Sequence, residues 1–413
     1  MSIIVLIPLL VITVLLIRQT HMMVAGICGA VIAMFIGNIG LMQATKIVTD
    51  SLPGMLTMLV PIIYCSTALA LSKTGGFEAL LALARHASGG RLYLVAAAVV
   101  IIQALATYAA GLAAGNTMAI GPLAFAIAGV VPQVVAGMAI VSAVSFETSP
   151  SSAEAATVSK IAGIDVGTYV DQLFPIAVAF WLVGAALAAY GVWKHGSFIK
   201  TDSQKQAEEL PMAENWRRAI APIYFIAVVV AGKYFNVWLD YPVFTPIFNM
   251  ISTLAIAAIM TRSAVAKVAE DVIQGSAFIL TKLFSIGLFL GFINILSAIG
   301  TFKYIAGLTA SAPAFIFVPV AIITGFAVAV PAGAYSVGVI SLIMPVLAEV
   351  GLTPLQMGLV SIAIGMGTQM SPVQINVAAL SQTFGMDITK IVKNNAPYLV
   401  VVLAVLCVLG VLL

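Results

Sequence analysis

Long apolar stretches alternate along this chain with short polar joints, and two of the stretches are broken by polar residues near their middles. Apolar spans run roughly over 3–17, 22–40 and 54–72. A less apolar segment with Lys73, Glu78, Arg85, His86 and Arg91 follows, and its middle, 77–84, reads as a short helix lying in the membrane interface. Residues 92–131 then form two apolar arms around the glycine-rich tip Gly111-Leu112-Ala113-Ala114-Gly115-Asn116-Thr117. The second arm holds about 14 residues, short of the roughly 20 a crossing helix needs, so the pair reads as a re-entrant hairpin. A broken helix over 136–162, interrupted at 147–152, and a span at 173–193 complete the first half.

After a polar linker at 194–218 the pattern restarts. Spans at about 219–238, 243–261 and 274–298 precede a second hairpin at about 314–350, with its tip at Pro331-Ala332-Gly333-Ala334-Tyr335-Ser336. A second broken helix (355–383) and a last span (395–413) follow. The two breaks correspond at a spacing of 222: Ser149-Pro150 matches Ser371-Pro372, Glu147 matches Gln369, Ser152 matches Gln374, and Glu154 matches Asn376. Serine is a good N-cap and proline suits the first helical position, so each Ser-Pro step predicts a helix that stops and restarts there. Ser371 and Gln374 also have the spacing of a capping box. A break at bilayer depth exposes backbone groups that hydrocarbon does not tolerate, so it must line a cavity or bind something.

Composition places the chain in a membrane: 62% of residues are hydrophobic and 8% charged, where a soluble domain carries about 25% charged. The first span has no basic residue before it and no small-residue cleavage site, and reads as a retained helix. Net charge is +3 with no basic stripe, so no nucleic-acid partner is expected. Cys28, Cys65 and Cys407 lie in separate apolar spans without metal-ligand spacing. If the hairpins do not cross, each half has five spans, and the odd number inverts the second half relative to the first. With both termini outside, Arg18, Lys73, Arg85, Arg91, Lys194, Lys200, Lys205, Arg217, Arg218, Arg262, Lys267, Lys390 and Lys393 face the cytoplasm. Lys46, Lys160, Lys233 and Lys303 face out, and Lys282 lies within a span, which satisfies the positive-inside rule. The expected fold is therefore an all-α polytopic membrane protein of two inverted repeats, 1–193 and 219–413, in a plasma membrane of the bacterial inner-membrane type.

Inverted repeats with discontinuous helices are the pattern of secondary transporters. Half-helix N-termini favour anionic groups, and unwound carbonyls can hold a small cation. The candidate binding residues are Gly115, Asn116 and Thr117 at the first tip and Glu147, Thr148, Ser149, Ser151, Ser152 and Glu154 at the first break. At the second tip they are Gly333, Tyr335 and Ser336, and at the second break Thr368, Gln369, Ser371, Gln374 and Asn376. No arginine is among them. Glu147 is the first candidate for the coupling group, because a carboxylate at this depth is costly when ionised; Glu154 is the second. A structural carboxylate capping local amides or pairing with Lys160 or Lys282 is the competing reading of Glu147.

These residues resemble the ion transporter superfamily, which includes divalent-anion/sodium symporters, membrane subunits of TRAP transporters and anaerobic four-carbon dicarboxylate carriers. Gly115-Asn116-Thr117 is similar to the Ser-Asn-Thr signature of the sodium symporters. Ser371-Pro372-Val373, with Lys390-Ile391-Val392-Lys393 downstream, is closer to the dicarboxylate carriers. The resemblance implies a dimeric elevator carrier. Two departures from the sodium symporters stand out: the second tip has no such triplet, and Glu147 brings in a carboxylate. The expected function is secondary transport of small organic anions, dicarboxylates first, coupled to protons or sodium, with a possible sodium site near Asn116 and no other cofactor. A channel, or a permease subunit needing a binding protein, is the alternative. No His-Glu-x-x-His or phosphate-binding loop is present, so neither an intramembrane enzyme nor direct ATP drive is expected.

Overall fold

The computed structural model describes residues 3–18, 20–56, 59–87, 89, 91–111, 117, 120–121, 124–125, 131–150, 152–195, 210–333 and 336–413. Among them every regular element is helical and no strand occurs. A 3-10 turn leads into α1 (Ile7–Ile17), followed by α2 (Met22–Gly37), α3 (Leu41–Leu56), α4 (Leu59–Lys73), α5 (Gly76–Ala87) and α6 (Leu92–Ala110). Next come α7 (Pro132–Thr148), α8 (Ala153–Ala162), α9 (Val166–His195), α10 (Met212–Leu239), α11 (Pro246–Thr261) and α12 (Val265–Ala298). The chain ends with α13 (Thr301–Ala310), α14 (Phe317–Ala332), α15 (Ser336–Glu349), α16 (Pro354–Thr368), α17 (Ile375–Phe384) and α18 (Ile388–Leu412).

The helices form several apolar elements suited to a membrane. Val166–His195, Ala314–Ala332 and Ile388–Leu412 are long and apolar enough to cross one; counting two bent pairs as single spans raises the number to five among the described residues. One bent pair is α7 with α8, at 47°. The arm Ala314–Ala332 of the second hairpin thus reaches spanning length, which the sequence reading did not expect, whereas its partner α15 has 14 residues. Apolar side chains stand exposed along α1, α2 and α18, and Trp193, Trp238 and Tyr241 are exposed at helix ends, as in the aromatic belt at a membrane surface.

Several boundaries differ from expectation, each for a local reason. The third span, expected at 54–72, falls mainly on α4 (Leu59–Lys73) with the separate helix α3 (Leu41–Leu56) ahead of it, and its second-half counterpart starts at Val265 rather than 274. Lys46, Asp50, Lys267, Glu270 and Asp271, outside the expected spans, lie on helix, where charges are tolerated beside an apolar face. Helix α10 likewise begins at Met212, inside the expected linker, with Glu214 bonded to Arg217 and Arg218 at i+3 and i+4. The first broken helix starts at Pro132, not 136, because proline fits the first helical position.

Helices α1–α4 and α10–α12 pack mainly among themselves, and α6–α9 with α14–α18 form a second group. Contacts of α10 with α6, α12 with α17 and α1 with α14 join them. At the centre of the second group, α7 is buried along almost its whole length, as is α16, and the two pack on each other. Such helices are covered on every side. Glycine permits the closeness: a Cβ on Gly137 would sit 2.7 Å from the Gly184 carbonyl oxygen, and one on Gly367 would sit 2.3 Å from that of Phe326.

Candidate functional site

The two breaks are built alike, but not as the Ser-Pro steps suggested. Helix α7 runs through Glu147 and Thr148 and stops at Ser149, so Glu147 lies in its last turn and not in unwound chain. The restart is capped by Ser152, whose hydroxyl accepts from the Ala155 amide at 3.0 Å. At the second break Gln374 caps α17, accepting from the Asn376 amide. Ser371 takes the Val373 amide within the break and does not form the expected capping box. That box lies at the start of α16 instead, between Thr353 and Gln356. Ser149 and Ser371 thus hold the turns, and Pro150 and Pro372 occupy the non-helical links where a missing amide costs nothing. Both restarted helices end on left-handed glycines, Gly163 and Gly385.

Each tip reaches the restarted helix of the other half. Thr117 donates to Asn376 Oδ1 at 2.6 Å, and Ser336 donates to Glu154 Oε1 at 2.6 Å. Gly333 closes against the second break, where a Cβ would meet Thr368 Cγ2 at 2.9 Å. Ser149 donates to the Tyr108 carbonyl of α6 at 2.6 Å. Described members of all four polar breaks therefore converge. Gly115, Asn116, Ser151 and Tyr335 lie outside the described residues, as does the side chain of Lys282.

Around Thr117 the contacts are neutral. Gln103 Nε2 donates to Thr117 at 2.8 Å and Ser142 at 2.9 Å, and Asn376 Nδ2 donates to Gln369 Oε1 at 2.7 Å. Around Ser336 they are acidic. Glu147 is fully buried and accepts a hydrogen bond from Ser361 of α16; its Oε1 has no partner. Glu154 is 3% exposed and its Oε2 has no partner. The two carboxyls lie close enough to repel each other, and the buried Tyr169 hydroxyl, also without a hydrogen-bond partner, lies within the field of both. No ion pair among the described residues compensates them, and Lys160 is exposed. Glu147 presses on α16 so closely that a Cβ on Gly365 would be 2.6 Å from its Cγ.

Sequence reasoning missed Gln103, Ser142, Ser361 and Tyr169. The first three carried a signal, since each is a polar residue inside an apolar run. Tyr169 carried none, because it stands among polar residues at the start of α9. No family model matches the chain, and no curated protein matches it.

Proposed function

We propose that the chain is a secondary active transporter of small organic anions, dicarboxylates foremost, coupled to protons or sodium, built of two inverted halves and working by an elevator mechanism. The observation that carries this reading is the chemical contrast at the convergence of the breaks: Glu147 and Glu154 in one half, Gln369 and Asn376 at the matching positions of the other. A buried carboxyl pair without a basic partner among the described residues calls for a proton or cation, while the amide and hydroxyl pair can serve a ligand without adding charge. The matching halves are supported by helix starts at 132 and 354, 153 and 375, and 166 and 388, a spacing of 222 each time. The segregation of the helices into two packed groups, with every described break in one of them, suits an elevator.

Thermal unfolding of the purified protein with succinate, fumarate, malate, citrate and gluconate tests the substrate class, because a ligand that binds only the folded state raises its stability. At least one of these anions is expected to raise the midpoint. A shift with amines or neutral solutes alone overturns the anion reading.

A further inference from the structure

Two adjoining cavities flank the second break. The larger, of about 500 Å³, lies between Thr20 and His21 after α1, Thr281 and Ser285 of α12, and Gln374 and Ser381 at the break and α17. The second, of about 290 Å³, runs from Pro331 of the second hairpin past Met370 to Lys393 of α18. They share Leu16, Pro372 and Thr389. Cavities of roughly 300–1,000 Å³ accommodate small ligands. Their walls come from both packed groups of helices.

The lining hydroxyls decide what the space can do. Thr281 donates to the Ala277 carbonyl, Ser285 to that of Thr281, Ser381 to that of Met386, and Thr389 to Asp387. With their protons committed, these four present lone pairs to water. The charges are few. Lys393 forms no ion pair with a described residue and stands at one end. Asp387, at the head of α18, opposes it; the hydroxyl and amide of Thr389 hold that carboxyl below the usual carboxylate range, so it stays ionised.

From this we propose that the larger cavity is a hydrated vestibule, with the apolar smaller one beside it, through which a small organic anion passes between the second break and the face bearing Arg18, Lys390 and Lys393. Lys393 is its attracting charge and Asp387 the opposing one. In the topology set out above that face is cytoplasmic. The vestibule's purpose rests on the carrier reading, but its wetness and charge do not.

The test uses full-length protein in sealed vesicles, with Cys28, Cys65 and Cys407 replaced by serine and one cysteine introduced, as Ser381→Cys or, should that variant unfold, Thr281→Cys. An anionic thiol reagent, MTSES, and a cationic one, MTSET, are applied from either face. Labelling is expected from the Lys393 face. The MTSES-to-MTSET rate ratio should fall about two- to threefold on Lys393→Gln and rise on Asp387→Asn, the size expected for one charge several ångströms away in a wet space. A merely structural disturbance would not move the two variants in opposite directions. Absence of labelling, which would mean a lipid-filled space, overturns the proposal, as does a ratio that ignores both charges or labelling only from the other face. A working vestibule in a protein that amines or neutral solutes alone stabilise would leave its wetness and charge standing and remove the anion reading instead.

Discussion

Glu147 keeps one oxygen on the Ser361 hydroxyl and leaves the other bare, with the half-satisfied Glu154 beside it. Ionised together in a dry interior, the two would cost on the order of several kcal/mol even after relaxation, so the pair favours a bound proton or cation. Glu147→Gln places in the first half the amide that Gln369 already supplies in the second. The expected outcome is retained exchange of substrate for substrate and loss of accumulation driven by a pH gradient, read in proteoliposomes. Glu154→Gln should behave alike, because the two buried carboxyls act on each other electrostatically. Full pH-driven uptake by both variants removes the carboxyls from coupling. Ser361→Ala strips Glu147 of its donor and should lower stability by about 1–3 kcal/mol, seen as an earlier thermal transition.

At the scale of elements, helix boundaries follow side-chain chemistry more closely than the motif did. The Ser-Pro steps marked both breaks because serine caps a helix and proline suits its first position, but the capping fell to Ser152 and Gln374, three residues on. Spacing alone does not tell which of two serines faces the free amides. The helices α7 and α16 were legible because their apolar runs are long; the charged starts of α3 and α12 were not, since charge on a helix and charge in a loop look alike in sequence. Close packing was equally hidden: only the folded chain shows that Gly137 meets Gly184. Gly137→Ala drives a Cβ against a backbone oxygen that cannot step aside, and should cost about 1–3 kcal/mol in thermal unfolding. Gly307→Ala in α13, with nothing within 4 Å of the added carbon, should instead gain up to about 1 kcal/mol from helix propensity. Equal effects at the two glycines would mean that propensity, not packing, governs these helices.

Across the whole molecule, the packing divides labour in a way that bears on assembly. Helix α7, which carries Glu147, is wrapped by α6, α9, α16 and α18, so residues 140–148 have no route to a second copy of the chain. A moving body should keep its outer face on lipid, and a fixed one can lend its outer face to a partner. The homodimer that the resemblance implies is therefore expected to use the group containing α2, α3 and α10, where Phe35, Met42 and Trp238 are 83%, 88% and 79% exposed. Leu182 of α9 and Val408 of α18 are also exposed, at 61% and 58%, but belong to the group that holds the breaks. Single cysteines at Phe35, Met42 or Trp238 should include positions that cross-link between protomers with transport intact. Cysteines at Leu182 and Val408 should not. Efficient links at Leu182 or Val408 without loss of transport would place the fixed interface on the group that an elevator has to move, and the elevator reading would fall with it.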